Sequence, residues 1–275
     1  MARLLAICPD VGLVGALADG LAGHEFVLSD GNVEALRRLR QLAVDVVITD
    51  PTTTVSEDLA LATELRSARP GVKVICLAPE TSHDDVVAAL RAQVFACFTP
   101  PFDYAEIVAM ALAALQAVDW MHGIDVVSGL PYWMTLRVSC HLLTAERLVR
   151  FMTEFEDTLP EPERDLLMTA FREMLVNAME HGAGFDPNKV IEVTAARTDR
   201  AIVFHFRDPG NGFDRADLAH AAKSRLPEDI IDATLRREQD GRRPGGFGML
   251  LVKQIADELV YNERGNEVLL IKHLK

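Results

Sequence analysis

Glu173, Asn177 and His181 stand four residues apart in the stretch "REMLVNAMEHGAG", residues 172–184. In an α-helix that spacing stacks three side chains on one slowly turning stripe. The residues between them have the apolar spacing of a buried helix, so a carboxylate, an amide and an imidazole share a stripe of a packed element. A row of solvated polar residues would look the same. The reading with chemical content is that the stripe faces a ligand, because a carboxylate takes up a proton and an amide oxygen ligates a hard cation. Two glycine-rich stretches follow, "DPGNGF" from Asp208 and "GGFGMLL" from Gly245.

These residues need elements to position them. "TLRVSC" predicts a strand, and "TAERLVRFMTEFEDTL" a helix with Thr144 as N-cap and Arg147 where a capping box would carry Glu. "EPERDLLMTAFREMLVNAMEHG" predicts the helix that holds the stripe, ended by Gly182 and Gly184. "VIEVTAART" and "AIVFHFRD" predict a hairpin turning at Asp199–Arg200. "GGFGMLLVKQIADEL" predicts a helix opened by glycines. "LVYNERGNEVLLIKHL" predicts two strands joined near Gly265. Residues 135–275 thus read as one α+β domain.

In this order and context, "EMLVNAMEHG", "DPGNGF" and "GGFGMLL" resemble the N, G1 and G2 boxes of the Bergerat-fold ATPases, the GHKL superfamily, over essentially all of residues 135–275. The resemblance implies that the stripe faces Mg-ATP. Asp208, ending a strand, would accept a hydrogen bond from the exocyclic amine of adenine, where guanine presents a carbonyl. Gly210 and Gly212 let the backbone pass close to the base and take positive φ. Gly246 and Gly248 precede a helix N-terminus, whose free amides suit phosphates. Asn177 would offer its oxygen to Mg2+, and Glu173 would act as general base. His181 would line the phosphate end or hydrogen-bond at the helix terminus; both readings stand. Residues 213–245 would be the ATP lid. They carry Lys223, Arg225, Arg236, Arg237, Arg242 and Arg243, of which Arg242 and Arg243 lie nearest the second glycine box and would neutralise phosphate charge.

Strand and helix signals alternate over residues 1–117. "RLLAIC", "HEFVLSD", "VDVVITD", "VKVICLA" and "VFACFT" are short β-branched-rich runs. Between and after them lie "NVEALRRLRQL", "EDLALATELRSA", "DDVVAALRAQ" and "DYAEIVAMALAALQAV". This is the alternation of a doubly wound parallel sheet, an α/β fold. The segment resembles a response-regulator receiver domain, and Asp50, ending the third strand, matches that family's phosphoacceptor. The departures are larger than the match. Cys8 and Pro9 replace the acidic pair after the first strand, leaving Asp10. Ala78 replaces the hydroxyl residue after the fourth strand, and Pro100 the lysine after the fifth. Phosphoryl transfer to a carboxylate needs positive charge where negative charge develops. A pseudo-receiver used for dimerisation or partner docking is therefore the favoured reading, with Asp50 kept as a candidate acceptor. Residues 118–134, with two glycines, a proline and both tryptophans, read as a packed, turn-rich connector.

Composition excludes several classes. Against 28 basic residues stand 41 acidic ones, a formal charge of −13, which opposes direct binding of nucleic acid or of anionic membrane. The start is too quickly polar for a signal peptide, and four dispersed cysteines in apolar runs read as reduced, buried thiols. A cytoplasmic protein is expected.

Within the superfamily, the stretches "TAERLVRFMTEF…EPERDLLMTAFREMLVNAMEHG" and "GGFGMLLVKQIADELVYNERGNEVLLIKHL" are most similar to the anti-sigma-factor serine kinases. A histidine kinase would need a paired-helix segment bearing its phosphoacceptor, and residues 135–160 give instead one strand and one helix, with His141 between them. The resemblance implies an ATP-dependent switch, working as a homodimer, that binds a sigma factor or other signalling protein and phosphorylates a serine on an antagonist protein. Two alternatives stay open. One is a non-catalytic ATP-dependent binding module; the other is an atypical two-component protein passing phosphoryl groups between histidine and aspartate, with His141 or Asp50 labelled.

Overall fold

The computed structural model describes residues 2–8, 10–118, 120–156, 159–212 and 247–274. Arg242, Arg243, Gly246 and the lid cations Lys223, Arg225, Arg236 and Arg237 lie outside the described residues, as does Pro9. The chain divides into two compact units, Met1–Val126 with Arg150–Asp157, and Val127–Val149 with Thr158–Lys275.

In the first unit β1 (Arg3–Ala6), β2 (Glu25–Leu28), β3 (Val46–Ile48), β4 (Lys73–Leu77) and β5 (Ala96–Phe98) form a parallel sheet of order β2-β1-β3-β4-β5. Strands β3 and β4, at the centre, are buried along their whole length, as helices on both faces demand. Those helices are α1 (Val11–Gly20), α2 (Asn32–Gln41), α3 (Val55–Ala68), α4 (His83–Arg91) and α5 (Tyr104–Gln116). Their starts are written in side chains. Thr54 with Glu57 and Ser82 with Asp85 form capping boxes, and Asp103 and Asp10 cap α5 and α1. Each cap satisfies amides that a helix leaves unpaired, stabilising it by about 1 kcal/mol.

The second unit is built on a mostly antiparallel six-stranded sheet of order β10-β11-β9-β8-β7-β6. Its strands are β6 (Ile124–Leu130), β7 (Trp133–Ser139), β8 (Val190–Arg197), β9 (Ala201–Arg207), β10 (Glu258–Tyr261) and β11 (Glu267–His273). Alternation selects one inner face: Met134, Leu136, Val138, Ile191, Val193, Ala195, Ile202, Phe204, Phe206, Val268 and Leu270 are buried. Over it lies α7 (Glu161–Asn177), which buries Leu167, Phe171, Met174 and their neighbours at helical spacing. Phe171 meets Phe204 edge-on at 4.8 Å and Phe206 at 5.1 Å between ring centroids. Helix α8 (Phe247–Ile255) packs on α7.

Four expectations change. Residues 124–130, read as part of a turn-rich connector, form strand β6, which pairs with β7, and the turns are left to residues 121–123 before it and Pro131–Tyr132 after it. Helix α6 (Leu142–Phe155) starts two residues before Thr144. Thr144 is therefore not its N-cap but a buried residue whose hydroxyl lies 3.2 Å from that of Ser139. Helix α8 stops at Ile255 rather than running on, since Asp257 and the residues after it join the sheet edge, where Asp257 N–H donates to Ile271 O. Gly248 lies inside the first turn of α8 rather than ahead of it.

Candidate functional site

Helix α7 does not end as a regular α-helix. After Asn177 the backbone widens into one π-helical turn, Ala178–Gly182, in which Ala183 N–H donates to Ala178 O at 3.1 Å. Gly184 (φ +67°) and Phe185 (φ +51°) then turn the chain away. Single π-turns inside helices recur at functional sites, because they change the register of everything that follows. Here the turn carries Gly182 onto Asp208. A β-carbon at Gly182 would overlap the Asp208 carboxylate, and one at Gly210 would come 2.7 Å from Gly182 O. Only residues without Cβ allow the helix end and the loop after β9 to approach so closely.

Asp208 itself is half-buried. Its Oδ1 accepts from Gly210 N–H at 2.8 Å, which leaves the second oxygen for another donor. Burial raises its pKa, against the lowering by the Gly210 amide and the nearby Arg264 charge. Gly212 has φ +77°, and a β-carbon there would overlap the carbonyl of Arg264.

The stripe on α7 meets α8. A β-carbon at Gly248 would overlap Glu173 Oε2 and stand 3.0 Å from its Cδ, so the Glu173 carboxylate rests on the first turn of α8. Asn177 Nδ2 lies 3.5 Å from Met249 Sδ, a weak contact that leaves the amide oxygen to other partners. The structure thus groups Glu173, Asn177 and Gly248, and separately Asp208, Gly210 and Gly182, with α7 and its π-turn as the common support. His181 is exposed at the end of that turn, next to Gly182.

Several residues here were not singled out from sequence. Arg172 Nη1 lies 3.6 Å from Glu173 Oε1, and its Nε donates to Glu146 at 3.1 Å. The Glu146 carboxylate raises the Arg172 pKa above its ordinary value, ahead of the opposing effect of burial. Asn262, Arg264 and Asn266, in the turn from β10 to β11, back the Asp208 loop. The signal for them in the sequence was the single glycine Gly265, which marks a turn but not what the turn touches.

In the first unit Asp50 is half-buried, and its Oδ1 accepts from Thr52 N–H (2.9 Å) and Thr52 Oγ1 (2.7 Å). Asp10 accepts from Leu13 N–H at 3.0 Å and from the Tyr104 hydroxyl at 2.9 Å, and both bonds hold its pKa below the ordinary carboxylate value. Behind them, buried Asp58 accepts from the hydroxyls of Thr49 (2.5 Å) and Thr53 (2.7 Å), and burial raises its pKa to about 6. Among the described residues no three His, Cys, Asp or Glu side chains are grouped to hold a metal ion, and no helix is long and apolar enough to cross a membrane. The four cysteines are buried and free.

Comparison with known proteins matches residues 141–272 to the histidine kinase-like ATPase domain. The transcriptional regulatory proteins PrrA of Mycobacterium leprae and Mycobacterium tuberculosis are each 31% identical to this chain over 116 residues, covering 42% of it. The chain spans about 50% of the length of these curated relatives. Among solved structures, a response regulator receiver domain protein from Clostridium thermocellum is 21% identical (TM-score 0.35, covering 42% of this chain and 94% of that one). The HemR receiver domain of Leptospira biflexa is 17% identical (TM-score 0.38, 43% and 97%). A histidine kinase-like ATPase domain is thus matched over residues 141–272, and the first unit has the doubly wound parallel α/β fold.

Proposed function

We propose that the chain pairs a receiver-type domain with its histidine kinase-like ATPase domain and works as an ATP-dependent switch protein of the serine-kinase type. It phosphorylates a serine on an antagonist protein, holds a sigma factor or other signalling protein, and works as a homodimer in the cytoplasm. The observation that supports this reading best is the Glu173 carboxylate resting on the first turn of α8, with Asn177 one turn further along the same helix.

The residues fit a nucleotide. Asp208 keeps one carboxylate oxygen for the adenine amine, Gly182 leaves room for that carboxylate, and Gly210 and Gly212 keep β-carbons out of the surrounding backbone. Free amides in the first turn of α8 suit phosphate oxygens. Asn177 Oδ1 would hold Mg2+, which when bound neutralises charge on the phosphates. Glu173 takes the proton from the attacking serine hydroxyl as the serine oxygen bonds to the γ-phosphorus, and the bond from that phosphorus to the bridging oxygen breaks to release ADP. Arg172, held by Glu146, sits beside Glu173 and fixes the direction of its carboxylate. In the first unit Asp10 and Asp50 are both engaged in hydrogen bonds, which favours a receiver that acts by docking a partner rather than by accepting phosphate.

Transfer from γ-labelled ATP in extract of the source cells tests the proposal, with wild type set beside Glu173→Gln and Asn177→Ala. Acid-stable phosphoserine on a second protein, lost in both variants, is the expected result. Acid-labile label on the chain itself, at His141 or Asp50, would replace this reading with histidine–aspartate transfer. ATP binding with no label anywhere, and normal partner capture by Glu173→Gln, would leave a non-catalytic binding module.

A further inference from the structure

Asp208 is gripped by one residue from both sides of its peptide. Its N–H donates to Asn266 O at 3.0 Å, and Asn266 Nδ2 donates to Asp208 O at 3.0 Å. Asn266 is only 7% exposed, so these bonds are not shared with bulk water. Its side-chain oxygen is fixed in turn by Asn262 Nδ2 at 3.0 Å. Asn262 Oδ1 accepts from the amides of Gly265 (2.7 Å), Asn266 (3.1 Å) and Glu267 (3.2 Å). A line of amides therefore runs from the β10–β11 turn to the Asp208 backbone. The same turn braces the far end of the loop, where Arg264 reaches Asn211 Oδ1 at 3.3 Å.

We infer that Asn266 is a positioning residue for base selectivity: by clamping the Asp208 peptide it aims the carboxylate at the exocyclic amine of the base. This rests on the reading of Asp208 as the adenine contact. A carboxylate distinguishes amine from carbonyl only while its direction is fixed, because a mobile one turns to water and loses the difference. With one Asp208 oxygen held by Gly210 N–H, the remaining freedom is that of the peptide, and Asn266 removes it. Asn262 acts one step further back, by holding the Asn266 amide in the orientation that donates to Asp208.

The test measures dissociation constants of the full chain for ATP and for purine riboside triphosphate, which lacks the exocyclic amine. Wild type prefers ATP by about tenfold, the worth of one hydrogen bond to a charged acceptor. In Asn266→Ala that preference falls several-fold, chiefly through weaker ATP binding, and Asn262→Ala lowers it in the same sense. Thermal unfolding of each variant accompanies the titrations, and Asn262→Ala carries the test if Asn266→Ala fails to fold. Equal weakening of both nucleotides, or an unchanged preference, makes Asn266 a structural residue and overturns the inference while leaving the adenine reading intact. A wild type that binds neither nucleotide, or both alike, overturns the adenine reading and the inference with it.

Discussion

Replacing Gly212 by alanine asks two things of the chain at once. At φ +77° an alanine pays for the left-handed conformation, about 1–2 kcal/mol. Its new methyl would also stand 2.7 Å from the carbonyl carbon of Arg264 and overlap the attached oxygen, which is backbone and cannot swing aside. Forcing a methyl into a packed contact costs a further 1–3 kcal/mol or so, giving roughly 2–5 kcal/mol in all. Gly184 separates the two effects. It has a similar φ of +67° but nothing within 4 Å of the position a β-carbon would take, so Gly184→Ala pays only the first cost. Native-state hydrogen exchange at the Asp208 amide, which donates to Asn266 O, reads the local opening energy directly. Gly212→Ala should speed exchange there by about thirtyfold or more, since each 1.4 kcal/mol is a factor of ten. Gly184→Ala should speed it less, by about thirtyfold at most. Equal acceleration by both variants would refute the contact argument and leave only φ strain.

Asn177→Ala should raise the magnesium concentration needed for half-maximal nucleotide binding by about tenfold, read from titrations at fixed ATP, while leaving metal-free binding little changed. Phe171→Ala removes the ring that meets Phe204 and Phe206, and should destabilise the second unit by about 3–5 kcal/mol in urea unfolding followed by circular dichroism. Asp58 supplies a pH signature in the first unit. Its folded pKa of about 6 lies above the unfolded value of 3.8, so the fold binds the extra proton between them. Stability is then greatest below about pH 4 for this group and falls as pH rises through 6, by about 3 kcal/mol at 1.36 kcal/mol per unit. Asp58→Asn should remove that decline, so wild type loses stability relative to the variant between about pH 4 and 6, and a parallel pair of stability curves would sink the assignment.

Much of this architecture could be read from periodicity. Apart from β6, the strands of both sheets stand within one to three residues of the runs that predict them, and the α7 stripe was visible because helical spacing is a local property. What stayed hidden depends on chain segments far apart in sequence. Strand β6 looked like a connector because Gly129 and Pro131 suggest turns, and its strand character comes from pairing with β7. The π-turn left no mark in the apolar pattern, since Ala178 and Met179 would suit a regular helix equally well. Asn262 and Asn266 look like ordinary turn formers beside Gly265, and only the placement of the turn against residues 208–212 gives them a task. Thr144 misled in the other direction: a hydroxyl ahead of an apolar run signals a cap, but a partner on Ser139 drew it inward.

Asp10 is a carboxylate already in use. Its carboxylate now completes the start of α1 and accepts the Tyr104 hydroxyl. A divalent ion arriving there would meet incumbents rather than an open ligand, and would have to displace a helix cap and a phenol together. Each is worth on the order of 1 kcal/mol, so this competition alone weakens cation affinity by roughly thirtyfold. Replacing Tyr104 by phenylalanine would lift one of the two incumbents, so the affinity of the first unit for divalent ions becomes a quantity that one distant hydroxyl controls.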